Sequence, residues 1–218
     1  MKYKQIKENE EIGALIAKGD ENLAVLGFTD HSVAHATLVA ERAGEILEAF
    51  GYKKKQIELA RIAGFVHDIG NSINRSRHAE YGAILANELL KSMDIELNDR
   101  LTIVSAIGHH DESTGGATDI VSAAVIIADK TDVRRNRVRN KNKAAFDKHD
   151  TVNYAVEHAK LTIDKEKKSI VFAIELDENI CSVMDYFEIF LDRMLMCRKA
   201  AEQFGMKFKM TANGSKVC

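Results

Sequence analysis

Two acidic residues of this chain stand where acids are costly. Asp68 follows His67 at the end of the apolar run Ile57 to Val66, and Asp129 ends the more apolar run Ile120 to Ala128. A carboxylate carried into hydrocarbon is strongly disfavoured unless a positive partner meets it. His35, His67, His78, His109 and His110 are spread along the same region, so a bound metal ion is the simplest partner. Imidazole and carboxylate together suit iron, manganese, cobalt, nickel or zinc. One ion would take His35, His67, Asp68 and Asp129. A second would take His78 and either His109 or His110, with Asp68 bridging the two. Such a pair lowers the pKa of a shared water and clamps both oxygens of an in-line phosphoryl displacement, which makes Asp68 the candidate catalytic residue. The alternative is a buried, hydrogen-bonded cluster without metal, and it leaves two carboxylates in need of other cations.

Helices must bring these residues to one point. Residues 8–26 read as a first helix broken by Gly27, after which Thr29 or Asp30 can cap a second running to Phe50. Its stripe Leu38, Val39, Ala43, Ile46, Leu47 and Phe50 also carries His35. A third, from about Lys55, is apolar nearly all round and ends at His67-Asp68-Ile69-Gly70. A polar loop, Asn71 to Arg77, leads to a helix from His78 to about Met93, with Tyr81, Ile84, Leu85 and Leu89 facing inward. Asn98 can cap a further helix carrying Leu101, Val104 and Ile107 up to His109-His110, and the alanine-rich run to Asp129 favours helix over strand. Beyond a short helix at 150–159, Leu161–Ile163 and Ile170–Leu176 alternate like the strands of a hairpin. A long helix from about Asp177 has Ile180, Met184, Phe187, Phe190, Leu191, Met194 and Leu195 spaced for one buried face, and Lys207–Met210 alternates like a third strand.

The fold class expected is therefore mostly α, a helical bundle with a small antiparallel β-hairpin or sheet near the C-terminus. No linker divides the chain, so residues 1–218 read as one domain with its core at 29–135 and a hairpin-plus-helix extension at 150–218. An apolar content of 45% supports a real core, and the absence of proline removes the strongest helix breaker. A net charge of −2 offers no global field toward nucleic acid or an anionic membrane. No apolar run spans a membrane and no signal-peptide core is present. Three cysteines, Cys181, Cys197 and Cys218, lie far from the histidines and suggest reduced thiols in a cytoplasmic protein.

His35, the adjacent His67-Asp68 and the distant Asp129 resemble the signature of the HD superfamily of metal-dependent phosphohydrolases. The likeness spans about residues 29–135 and includes Thr29-Asp30-His31-Ser32-Val33-Ala34-His35, Val66-His67-Asp68-Ile69-Gly70 and Ile126-Ile127-Ala128-Asp129-Lys130. His78 and His110 are similar to the added ligands of its two-metal branch, which includes diadenosine tetraphosphatases and cyclic-dinucleotide phosphodiesterases. Ala106-Ile107 ahead of the histidine pair favours His110 over His109. Many members have lysine where Asn71 stands here, a place Arg75 or Arg77 would fill. The Gly-Tyr-Pro element of the cyclic-dinucleotide enzymes is absent.

The resemblance implies one or two divalent transition-metal ions per chain and hydrolysis of a phosphate ester or phosphoanhydride, with a nucleotide as the small phosphorylated partner. Lys130, Arg134 and Arg135 are the candidate substrate-binding residues, because guanidinium and ammonium groups beside the ligands can hold phosphate oxygens. The rest of the basic run to Lys143 reads as a solvated helix face, without the aromatic partners that nucleic-acid binding would use. His31, His149 and His158 read as solvated. The same ligand set also serves di-iron oxygenases, and a nucleotide-sensing module without catalysis is a third reading. A homodimer through the long C-terminal helix and the small sheet is a further expectation.

Overall fold

The protein is described by a computed structural model over residues 2–217; Cys218 lies outside the described residues. The expected first helix is two, α1 (Tyr3–Lys7) and α2 (Glu10–Val25), because the Asn9 side chain accepts the Ile12 N–H at 3.0 Å and restarts the helix. α3 (Val33–Ala49) is capped by Ser32, not by Thr29 or Asp30, so His35 falls in its first turn. α4 (Lys54–Val66) stops just before His67, and the chain tightens into a 3-10 turn over Ile69–Ser72. α5 (His78–Ser92) begins on His78 itself. α6 (Leu97–Gly108) is followed by His109 and His110, and α7 (Ile120–Lys130) carries Asp129 in its last turn. The alanine-rich run is thus a helix, started by Asp119, whose carboxylate accepts the Ser122 N–H at 2.7 Å.

One continuous apolar core runs from Tyr3 to Ala212. α3 and α4 lie close in it, since an added Cβ at Gly64 would stand 3.0 Å from the Ala40 backbone. Two inward faces differ from expectation. On α5, Ala79, Gly82, Ala83, Ala86 and Leu90 are the buried set, while Ile84 is 63% exposed. On α6, Ile103, Ala106 and Ile107 are buried and Leu101 is not. Small residues let these helices approach, and the larger side chains are displaced to the flank.

The chain continues through α8 (Lys148–Ala155), β1 (Val156–Asp164), β2 (Ser169–Leu176), α9 (Val183–Glu202), β3 (Lys207–Ala212) and β4 (Ser215–Lys216). β1 and β2 form the expected hairpin. β3 joins β2 in parallel, Ile170 opposite Phe208, so the sheet is mixed where an antiparallel one was expected. A parallel neighbour needs a long crossover, and α9 supplies it. α9 packs on α7 and buries Tyr186, Phe190, Met194, Cys197 and Ala201; Met184 and Leu191, expected inside, face out. Among the described residues no helix is long and apolar enough to cross a membrane.

Gly70 sets the distance between the Asp68 turn and the start of α5. A Cβ there would overlap the His78 carbonyl and crowd the Gly82 N–H. Gly70→Ala should lose about 1–3 kcal/mol in urea unfolding. Gly13→Ala, within α2 and with open space around it, should gain about 0.5–1 kcal/mol. Equal stabilities for wild type and Gly70→Ala would contradict the close approach.

Candidate metal centre

Five helix ends converge on one spot. His35 comes from the first turn of α3, His67 and Asp68 from just past α4, His78 from the first residue of α5, His110 from just past α6 and Asp129 from the last turn of α7. Helix ends are rigid mounts, so a site built on them is held in place by the core behind it. The four imidazoles follow one another nearly edge to face, His35–His67 at 5.3 Å between centroids, His67–His110 at 4.9 Å and His110–His78 at 4.9 Å.

Asp68 lies between two halves. Its Oδ2 is 3.3 Å from His67 Nε2 and 3.8 Å from His35 Nε2, and Asp129 Oδ1 is 3.4 Å from His35 Nε2 and 3.7 Å from His67 Nε2. Its Oδ1 is 3.4 Å from His78 Nε2 and 3.6 Å from His110 Nε2. Ligands about 2.1 Å from a common ion stand roughly 3–4 Å apart, so both halves have suitable spacing.

The proton arrangement points the same way. Every one of these imidazoles commits Nδ1 to an oxygen: His35 to Asp132 Oδ2 at 2.7 Å, His67 to the Gly64 carbonyl at 2.8 Å, His78 to the Arg75 carbonyl at 3.1 Å, and His110 to the Ile107 carbonyl at 2.7 Å. With the proton on Nδ1, each Nε2 presents a lone pair inward. Nε2 of His35 and of His67 is buried with no hydrogen-bond partner. Nε2 of His78 and of His110 face each other at 3.1 Å, a close approach of two lone pairs that a cation between them would relieve. The donor set therefore fits divalent ions in both halves.

Electrostatics agree. Burial alone would raise the Asp68 carboxyl, but His67 and His110 outweigh it and hold it well below the ordinary range. Asp129 is held low by Lys130, His35 and His67, again against burial. Burial would lower the His67 pKa; Asp68 and Asp129 reverse this and push it up to about 10. Without an ion, the acids thus take their positive charge as a proton on His67. His78 goes the other way, to about 4, through burial and the neighbouring His110 and Arg75.

The flanking residues are placed differently from expectation. Lys130 is buried, its ammonium 2.9 Å from Asp129 Oδ2 and 2.6 Å from Glu112 Oε2, so it braces the acid and has no free face toward a substrate. Arg134 turns back onto Asp132, with Nη2 3.0 Å from Oδ2. Arg135 points away, donating to the Tyr154 carbonyl at 2.6 Å and covering the Tyr154 ring. The physical reason is that α7 ends at Lys130 and the chain folds into a 3-10 turn at Arg135–Arg137, so the basic run is not a helix face. Arg137 is buried, donating to the carbonyls of Asp30 and Asp132. Arg75, in contrast, reaches the centre, its Nη1 3.4 Å from His78 Nε2; Arg77 only precedes α5, with φ 59°. His109 is exposed, His149 and His158 lie on the surface, and His31 is half-buried with its ring 5.4 Å from His35.

Three residues that the sequence reading missed support the ligands. Asp132 is fully buried and orients His35; burial would raise its carboxyl, but His35, Arg137 and Arg134 keep it far below the usual range. Glu112 joins Lys130 to Arg193 of α9, whose Nε is 3.0 Å away. Asp111 Oδ2 is 3.6 Å from His78 Nδ1. The signal for Asp132 was its position three residues after Asp129, one helical turn on.

Comparison with known proteins gives two findings. Residues 30–134 match the family model described as HD domain. An uncharacterized protein of Methanocaldococcus jannaschii is 28% identical over a 192-residue alignment that covers 77% of this chain and 73% of the relative.

Two outcomes are expected. Asp132→Asn leaves Arg137 without its buried counter-charge and should cost about 3 kcal/mol in urea unfolding. The folded carboxyl lies below its ordinary value near 4, so its contribution is present above that pH and lost as pH falls; the variant should show a flatter acid limb than wild type. Uptake of manganese or cobalt at pH 8 should release about one proton per chain, because the ion replaces the one on His67. Calorimetry in buffers of different ionisation enthalpy reads that number, and zero release would contradict the exchange.

Proposed function

We propose, from the premise that residues 30–134 of this chain belong to the HD superfamily, that it is a metal-dependent phosphohydrolase acting on a phosphate ester or phosphoanhydride, with a nucleotide as substrate. HD domains are typical of metal-dependent hydrolases, and the His/Asp clusters here are suited to holding metal. The observation that carries the reading is Asp68, whose two oxygens each face a separate set of imidazoles.

In this reading His35, His67, Asp68 and Asp129 hold one ion and His78, His110 and Asp68 a second, iron, manganese, cobalt, nickel or zinc. When bound, such ions lower the pKa of water and neutralise charge on a phosphoryl group. Asp132, Gly64, Arg75 and Ile107 keep each imidazole in the tautomer that donates its Nε2 lone pair. Lys130 steadies Asp129. Arg75 takes over the substrate role expected of Arg134 and Arg135, because its guanidinium lies at the His78 half and can grip phosphate oxygens in a fork. A fixed cation at the mouth supports an anionic substrate over the dioxygen of the di-iron reading. The exposed Met184 and Leu191 on α9 support the homodimer expectation.

Asp68→Asn should keep the fold and lose at least about a hundredfold in phosphate release, measured with manganese, iron, cobalt or nickel over a panel of nucleotides and simple esters. A fully metallated wild type that turns over none of them would refute the proposal.

A further inference from the structure

We infer that the open groove between the C-terminal end of α2 and the turn after Asp68 is the subsite for the nucleobase of the substrate, an inference that takes its phosphate end from the phosphohydrolase reading above. The groove encloses about 460 Å³ between Leu23, Val25 and Leu26 on one side and Asn71, Ile73 and Arg75 on the other. That volume is in the range of small-molecule sites, roughly 300–1,000 Å³. Val25 is 88%, Leu26 61% and Ile73 55% exposed, so two separate segments leave apolar side chains in water around one hollow. Exposed apolar surface rimmed by polar groups marks a binding place.

Its position and charge say what binds. Two of its wall residues also touch the metal centre. Asn71 lines it and donates Nδ2 to Asp68 Oδ1 at 2.9 Å. Arg75, the one charged residue among its described walls, has Nη1 3.4 Å from His78 Nε2 and 3.5 Å from Asn71 Oδ1. The hollow is therefore walled by apolar side chains and by one cation that also reaches His78, the complement of a weakly polar group joined to a phosphate. Two asparagines add directional contacts. Asn22 spends its amide N–H on the carbonyls of Asn71 and Ser72 and keeps Oδ1 as an acceptor. Asn74 accepts the Ser76 N–H on Oδ1 and keeps Nδ2 as a donor. An apolar slot with one acceptor and one donor suits the face and edge of a heteroaromatic base.

The test uses the full chain and the double variant Leu26→Ser, Ile73→Ser, whose altered side chains are exposed. Saturation-transfer NMR on adenosine and uridine, which carry no phosphate, should show transfer to the base protons with wild type and its loss in the variant. With metal-loaded protein, the ratio of kcat/KM for AMP or UMP over that for ribose 5-phosphate should fall about tenfold in the variant. No transfer with wild type together with an unchanged ratio would overturn the inference even if phosphate is released. Transfer that the variant abolishes, in a protein that hydrolyses no ester, would uphold the subsite and refute the phosphohydrolase reading. A variant that instead dissociates an oligomer in sedimentation, with base contacts intact, would make the groove a protein interface and overturn the inference.

Discussion

Two carboxylates side by side in a nearly closed pocket govern the rest of this structure. The Asp68 and Asp129 side chains are only 12% and 13% exposed, too little for water to carry the charge alone. Everything around them supplies positive charge or holds its supplier. Four imidazoles turn Nε2 inward, where that of His67 holds a proton until an ion displaces it, and Lys130 braces the outer oxygen of Asp129. A cluster stabilised only by its own hydrogen bonds would not leave Nε2 of His35 buried and unpartnered.

Such a site needs a stiff frame, and the fold provides it at helix termini. Each imidazole is fixed by an acceptor close to its own helix end, except His35, which borrows Asp132 from the turn after α7. Asp132 is in turn held by Arg134 and Arg137, and Arg137 reaches back to the Asp30 carbonyl just before α3. Lys130, Arg134 and Arg137 of the basic run are thus spent on assembling the centre from behind. Glu112 extends the same logic to α9 by joining Lys130 to Arg193, so the C-terminal helix is tied electrostatically, as well as by apolar packing, to the segment that carries His110.

Much of this was legible in the residue order. Apolar periodicity placed the helices that carry His35, Asp68 and Asp129, and the alternation at 161–163 and 170–176 placed the hairpin. Boundaries moved where capping chemistry overruled pattern, as at Asn9 and Ser32. On α5 close helix packing selects glycine and alanine for the inward face and pushes Ile84 outward, whereas Leu101 on α6 and Met184 on α9 lie off faces buried through Ile103 and Ile107 and through Tyr186, Phe190 and Met194. The Asn213-Gly214 pair, both at positive φ, was an available sign of the β3–β4 turn.

By itself, then, the sequence determined the helical class and the set of residues that converge, since buried acids beside histidines in apolar runs have few physical solutions. It did not determine which basic groups face the centre. That depended on where α7 ends and how the following turn folds back, which pairs Arg134 with Asp132, sends Arg135 to Tyr154 and leaves Arg75 at His78. Long, flexible cations are directed by the nearest unpaired carboxylate or carbonyl, and only the packed chain decides which one that is.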